Sequence, residues 1–196
     1  MNLRHPAVSG WRAAGVCAAL LGAGAIALIA AASTAQADAP AASGAARLDQ
    51  LPQAWRDDLG KPLLLTDLVG RRVILSMAYT HCHNSCPAML NELLRMQQVL
   101  DGRGEQASFV IIGYDPDNDD PRSWHDYRIS HRLDRPNWHF LAGTAKNVRR
   151  LAHQLGFEFW NYDTHVIHDS RVVFFDSKGL FSGAVSPATG DWTALL

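Results

Sequence analysis

The chain has 196 residues, 47% of them hydrophobic and 19% charged, with a formal net charge of −1 at pH 7. This length and apolar content suffice for one domain with its own core. Lysine and arginine are balanced by acidic residues and form no basic tract, which argues against a nucleic-acid partner.

Residues 1–37 have the pattern of a secretory signal peptide. Arg4 and Arg12 give it a basic start, and residues 13–32 form an uncharged apolar run. An Ala-Gln-Ala cleavage site follows at residues 35–37. The apolar run is also long enough to span a bilayer, so a retained inner-membrane anchor is the alternative to cleavage. Both outcomes predict an exported, periplasmic protein.

Residues 38–46 are rich in Ala, Ser, Gly and Pro and predict a linker. The domain then covers residues 47–196, where short apolar runs alternate with helical patterns. The predicted strands are residues 73–78, 108–113, 138–141 and 171–175, followed by a return strand from Leu180. The predicted helices are residues 87–100, ended by Asp101-Gly102, a second that Asp120 caps, and residues 144–155. This order predicts an α/β fold with a central mixed sheet flanked by helices.

Two cysteines separated by three residues, Cys82 and Cys86, lie between the first predicted strand and the first predicted helix. Cys86 precedes Pro87 at the start of the helix, where the unpaired amides favour a thiolate. An exported cysteine pair can be a structural disulfide, a redox couple or a ligand pair. A disulfide here would close so small a loop that it would stabilise little through chain entropy.

The spacing favours a metal. Redox pairs in thioredoxin-like sites usually have two intervening residues, and a third widens the distance between the sulfurs. Soft thiolates select Cu(I), whereas structural zinc requires four ligands. His168 is the best candidate for a third ligand, because in a thioredoxin-like sheet the loop before residues 171–175 faces the cysteine loop. His165 is the alternative, or a residue that supports the site.

Several motifs together resemble the Sco/SenC family of copper-binding assembly factors, which have a thioredoxin-like fold. Residues 79–87 fit a T-x-C-x-x-x-C-P signature, and residues 115–121 resemble a D-P-x-x-D-T-P loop. Residues 138–143 resemble a stretch ending in L-T-G, and His168 has the family's spacing to the hairpin Gly179. The resemblance covers most of the chain from about residue 50 onward.

The resemblance implies that Cys82, Cys86 and His168 are the copper ligands. It further implies a metallochaperone rather than an enzyme. The client would be a copper protein such as a cytochrome oxidase subunit, whose binuclear copper centre the family loads or keeps reduced.

The chain departs from the family at the site itself. His83-Asn84 stand where the family often has Pro-Asp, so His83 is a candidate additional ligand and would favour Cu(II). Ile167 and Asp169 flank His168 where an acidic residue and a Ser or Thr are common. These differences make another copper enzyme the alternative client.

Two redox functions are alternatives. A thiol–disulfide oxidoreductase would use Cys82 to attack a client disulfide and Cys86 to resolve the mixed disulfide, keeping client cysteines reduced for metallation. A peroxide-reducing enzyme of peroxiredoxin type is the other alternative, although it does not require the distant His168.

Other residues are assigned to structure. Met77, Met89 and Met96 are predicted in the core, as are most aromatic residues, and any exposed aromatic near the cysteine loop is a candidate docking surface for a client. His81 points away from Cys82 if the loop is extended, so a metal role is its lesser interpretation. Four other histidines are predicted to be packed, capping or surface residues: His125, His131, His139 and His153.

Overall fold

The computed structural model describes residues 46–81, 86–162, 165–186 and 190–196. The side chains of Cys86, Pro87, Tyr162 and His165 are not among the described atoms. The predicted signal peptide, nearly all of the predicted linker, Cys82 and His83 therefore lie outside the described residues. In the part of the chain that is described, no helix is long and apolar enough to cross a membrane.

The described residues contain nine strands and three α-helices. The strands are β1 (Trp55–Asp57), β2 (Pro62–Leu63), β3 (Arg72–Ala78), β4 (Ala107–Gly113), β5 (Trp138–Ala142), β6 (Phe159–Tyr162), β7 (His165–His168), β8 (Val172–Phe175) and β9 (Phe181–Val185). The helices are α1 (Cys86–Arg103), α2 (Pro121–Ser130) and α3 (Ala145–Leu155).

Seven strands form one mixed sheet in the order β2-β1-β5-β4-β3-β8-β9. The central pairs β3–β4 and β4–β5 are parallel, whereas β8 runs antiparallel to β3 and pairs with β9 as the predicted hairpin. The prediction of an α/β fold with a central mixed sheet is confirmed. At one edge of the sheet lies β2, which has only two residues and begins with a proline.

The core is densest around β3 and β4. All seven residues of β4 are buried, and so are residues 73–78 of β3, which explains why both read as continuous apolar runs. Burying each aliphatic side chain contributes roughly 1.5–3 kcal/mol to the free energy of unfolding. Because the two strands are parallel, their carboxyl ends meet at the same edge, where the Tyr114 amide donates to the Ala78 carbonyl at 2.8 Å. The segments that follow the two strands are therefore neighbours.

The helix boundaries follow local signals with one exception. Asp120 caps α2 by accepting from the Ser123 amide at 2.7 Å, and Gly156 ends α3 with φ 71°. The predicted end of α1 at residues 101–102 is wrong. The helix continues to Arg103, and Gly104, with φ 68°, makes the turn that follows.

A two-stranded antiparallel ribbon of β6 and β7 lies outside the main sheet. The sequence predicted a loop before β8, and this prediction is wrong, because β7 is a strand that ends at His168. Trp160 and Ile167 face each other across the ribbon, with 55% and 41% of their surfaces exposed. The ribbon fixes the backbone of His168 by pairing it with Phe159.

Candidate metal centre

The candidate centre lies where the chain leaves β3. After Ala78, Tyr79 and Thr80 lead into the cysteine loop, and α1 begins at Cys86, one residue before the predicted start at Pro87. Cys86 therefore stands in the first turn of α1, near amides that have no partner within the helix.

His168 packs against two tyrosines. Its ring stacks on Tyr114, with centroids 4.6 Å apart and planes at 28°, and it meets Tyr79 edge-on at 5.7 Å and 88°. Tyr79 lies three positions before Cys82. The structure thus brings His168 beside the segment that enters the cysteine loop, although the cysteine sulfurs are outside the described atoms.

A hydrogen bond sets the tautomer of His168. Its Nδ1 lies 2.6 Å from the backbone oxygen of Asp169. A carbonyl oxygen can only accept, so Nδ1 carries the hydrogen and Nε2 carries the lone pair. Metal-bound histidines commonly donate their second ring nitrogen to a backbone carbonyl in this way. The imidazole is therefore oriented to offer Nε2 as a ligand.

The carboxylate of Asp169 connects the ribbon to Tyr114. Its Oδ1 accepts a long hydrogen bond from the Tyr114 hydroxyl at 3.4 Å and another from the Glu158 amide at 3.3 Å. Burial raises the pKa of Asp169 above its ordinary value. Tyr114 is held by its ring and by its hydroxyl, and it supports the ring of His168. Sequence reasoning missed Tyr114 because no motif marks it.

Asp119 anchors the entry to the cysteine loop. This buried carboxylate accepts from the Thr80 amide at 2.8 Å and from the Thr80 hydroxyl at 2.9 Å through Oδ1. Its Oδ2 accepts from the Asp115 amide at 2.9 Å. Burial raises the pKa of Asp119 to about 6, although these hydrogen bonds oppose the rise. The sequence offered Asp119 only as part of a loop motif.

Some of the other candidate residues are described by the structure, and some are not. Cys82 and His83 are not described, and His165 is described only as backbone within β7. The three methionines are buried, as predicted. His139 is half-buried, with its pKa lowered by burial, whereas His125, His131 and His153 lie on helices or at their ends.

The donor set fits a soft metal. Among the side chains that are described, a set without either cysteine, no three His, Cys, Asp or Glu groups could hold a metal ion. The predicted donor set adds two residues outside the described side chains, Cys82 and Cys86, to His168. Two thiolates and one imidazole suit Cu(I) better than a hard cation, which prefers oxygen ligands.

Comparison with known proteins points to one family. The SCO1/SenC family model matches residues 54–195. A candidate copper-binding protein of Stutzerimonas stutzeri is 31% identical over 135 residues, which cover 66% of this chain and 65% of that protein. The match thus spans slightly less than two thirds of the relative's length.

Solved structures share the fold. Arabidopsis thaliana ScoI with copper bound has a TM-score of 0.65 at 22% identity, covering 74% of this chain and 90% of that one. Yeast Sco1 with copper bound gives 0.63 at 22% identity, covering 74% and 82%. ScoI of Bradyrhizobium japonicum with copper bound gives 0.60 at 20% identity, covering 70% and 89%. These likenesses confirm the predicted thioredoxin-like fold.

Proposed function

This chain belongs to the SCO1/SenC family, and on that premise we propose that it is a periplasmic copper metallochaperone. Copper is its cargo rather than a resident cofactor. The thiolates of Cys82 and Cys86 and the Nε2 atom of His168 bind it. Three ligands leave room for a fourth from a client, which is what transfer requires.

The observation that carries this proposal is the position of His168. Its ring lies 5.7 Å from that of Tyr79, and Tyr79 is three residues from Cys82 along the chain. The donation from Nδ1 to the Asp169 carbonyl directs the lone pair of the ring to Nε2. A histidine that served only to fill the core would need neither this tautomer nor this neighbour.

We propose that copper moves to the client by ligand exchange. Each bond that Cu(I) forms to a client ligand replaces one bond to this chain, so the oxidation state does not change. The client is a copper enzyme, such as the subunit of cytochrome c oxidase that holds the binuclear copper centre. Another copper enzyme is the alternative client, because the sequence departs from the family at His83 and Ile167, close to the predicted ligands.

Replacing His168 tests the proposal. We expect His168→Ala to lower Cu(I) affinity at least about 100-fold, measured by competition with a chromogenic Cu(I) chelator, because a direct ligand matters at least as much as a residue supporting one. His153→Ala, which removes an exposed histidine from α3, is the matched control and should bind as the wild type does.

The same variant separates copper delivery from the redox alternative. Disulfide exchange needs the two cysteines but not the imidazole, so His168→Ala should retain its exchange rate with a model disulfide. Unaltered copper affinity in His168→Ala would refute the three-ligand site. Unaltered copper affinity together with an unaltered exchange rate would instead favour the oxidoreductase, which uses only the two cysteines. His83→Ala, assayed alongside, measures whether a fourth protein ligand exists.

A further inference from the structure

We infer that Asp119 is a positioning residue for the copper site, holding the entry of the cysteine loop through Thr80. The inference rests on the proposed function, since it concerns the same cysteines. Asp119 is 39 residues from Thr80 in the chain, yet a single oxygen of its carboxylate accepts both the Thr80 amide and the Thr80 hydroxyl. Thr80 is two residues before Cys82.

Helix capping does not account for the buried carboxylate. Asp120, its neighbour, is exposed and supplies the N-cap of α2. Asp119 is 1% exposed, and a carboxylate in such a place is unfavourable unless donors surround it. Among the described residues it has three donors, and two of them belong to Thr80. The hydrogen bonds from Thr80 therefore do two things. They stabilise the buried charge of Asp119, and they hold the start of the cysteine loop in place.

Asp119 is itself held in place by close packing against the end of β4. At Gly113, the last residue of β4, an added Cβ would lie 2.6 Å from the Asp119 Cβ, so the backbone and the aspartate are in direct contact. The backbone amide of Tyr114, the next residue, donates a hydrogen bond to the carbonyl of Ala78 at the end of β3. Asp119 is thus fixed between the ends of both central strands, and Thr80 has little freedom to move independently of it.

The charges around Asp119 make the anchor sensitive to protons. Asp115, on the same turn, raises its pKa by charge repulsion in addition to the effect of burial. From the cysteine loop, His81 places its Nδ1 3.2 Å from the Thr80 hydroxyl. A groove lined by Asp119 is also lined by the charged residues Arg56 and Asp120. The β4 residue in contact with Asp119 is the uncharged Gly113. A protonated carboxyl accepts hydrogen bonds more weakly, so the loop is held less firmly at acid pH.

The chain contains a matched control for this arrangement. Near the C-terminus, the Oδ1 atom of Asp191 accepts from the Thr193 amide at 2.9 Å and from the Thr193 hydroxyl at 2.6 Å. The hydrogen-bond pattern is the one that Asp119 makes with Thr80. Asp191 and Thr193 are exposed, however, and precede no cysteine. Asp191→Asn therefore changes the same bonds without touching the site.

The test measures Cu(I) affinity as a function of pH. We expect Asp119→Asn to bind Cu(I) about tenfold more weakly than the wild type at about pH 8, where Asp119 is ionised. At about pH 5 the wild-type carboxyl is itself protonated, and the two proteins should agree within about twofold. Asp191→Asn should match the wild type at both values. Equal affinity of Asp119→Asn and wild type at pH 8, or an affinity ratio that stays constant with pH, would overturn the inference.

Hydrogen exchange gives a readout that does not involve copper. The Thr80 amide should exchange faster in copper-free Asp119→Asn than in the wild type, and the Thr193 amide should respond only to Asp191→Asn. If the wild type bound no copper, or if His168→Ala bound it normally, the proposed function would fail. An unchanged Thr80 exchange rate would refute the anchor itself, whatever the copper result.

A second variant covers the case in which Asp119→Asn does not fold. Thr80→Val removes the hydroxyl donor and retains the backbone donor, so we expect about a threefold loss of Cu(I) affinity at about pH 8. Thr193→Val is its control and should cause none. Full affinity in Thr80→Val would contradict the inference.

Discussion

The two sides of the candidate site are held by different physical means. The cysteine side, which begins at Thr80, is fixed by hydrogen bonds to the buried charge of Asp119. On the histidine side, pairing within the ribbon holds the backbone of His168, and its ring packs against Tyr114 and Tyr79. Hydrogen bonds to a carboxylate depend on its ionisation, whereas ring stacking depends on shape. The cysteine side should therefore respond to pH and charge, and the histidine side to side-chain volume.

The largest effect is expected from the ring of Tyr114. Tyr114 is buried and also contacts Phe159 at 5.0 Å, so Tyr114→Ala should lower the free energy of unfolding by about 3–5 kcal/mol. Tyr114→Phe keeps the ring and removes the hydroxyl that makes the long hydrogen bond to Asp169, so it should cost no more than about 1 kcal/mol of unfolding free energy. Urea denaturation measures both. Equal losses would show that the hydroxyl, not the ring, supports the histidine side.

A methyl group at Gly113 should disturb the cysteine side. An added Cβ would overlap Asp119, so Gly113→Ala should destabilise the fold by about 1–3 kcal/mol and weaken Cu(I) binding. Gly102→Ala is the control, because that site, within α1, has open space around it and should gain about 0.5–1 kcal/mol. Thermal denaturation and Cu(I) competition report the two quantities. Normal copper binding in Gly113→Ala would break the proposed link between this packing and the loop.

The raised pKa of Asp119 should appear in the pH dependence of stability. In the folded chain this pKa is about 6, above its ordinary value of 3.8, so folding takes up a proton between these values. The stabilisation is complete below the lower value and lost as pH rises through the upper one. Between about pH 4.5 and pH 7.5, the wild type should lose roughly 2 kcal/mol relative to Asp119→Asn. A difference between the two proteins that is independent of pH would contradict this assignment.

The smallest effect on the free energy of unfolding is expected at Asp120, the residue after Asp119. Asp120→Ala removes the N-cap of α2 and should cost about 1 kcal/mol of unfolding free energy. Copper affinity should not change, because Asp120 makes no hydrogen bond to Thr80 among the described contacts. Cu(I) competition beside a denaturation curve tests this. A copper defect as large as that of Asp119→Asn would show that the loop as a whole matters, rather than the buried carboxylate.

The sequence predicted those parts of the fold that local patterns determine. Strands β3 and β4 were found within one residue because both are continuous apolar runs, and Asp120 was found because a cap acts on the helix that follows it. The end of α1 was missed because Gly102 adopts a helical conformation, while the turn is made at Gly104. The ribbon was missed because its four-residue strands mix aromatic, amide and apolar side chains without clear alternation.

For the candidate site, too, the sequence predicted only what local patterns and a family resemblance reveal. The cysteine spacing pointed to Cys82 and Cys86, and the place of His168 before the strand at residues 171–175 made it the best third candidate. The likeness to a family then implied all three as copper ligands, and these assignments stay predictions until copper binding is measured. The supporting residues could not be read from the chain, because each acts across a long separation. Asp119 reaches back to Thr80, and Tyr114 supports a histidine 54 residues further on. Nothing within the immediate neighbourhood of either residue reveals its partner.

The short strand β2 limits aggregation through this edge of the sheet. A sheet edge can recruit a foreign strand and begin an aggregate. Here the outermost strand offers two residues, and Pro62 has no amide hydrogen to donate. An intruding strand would gain almost no ladder on that side. A copper carrier that released each client, as proposed above, could thus meet other polypeptides at this edge without forming a shared sheet with them.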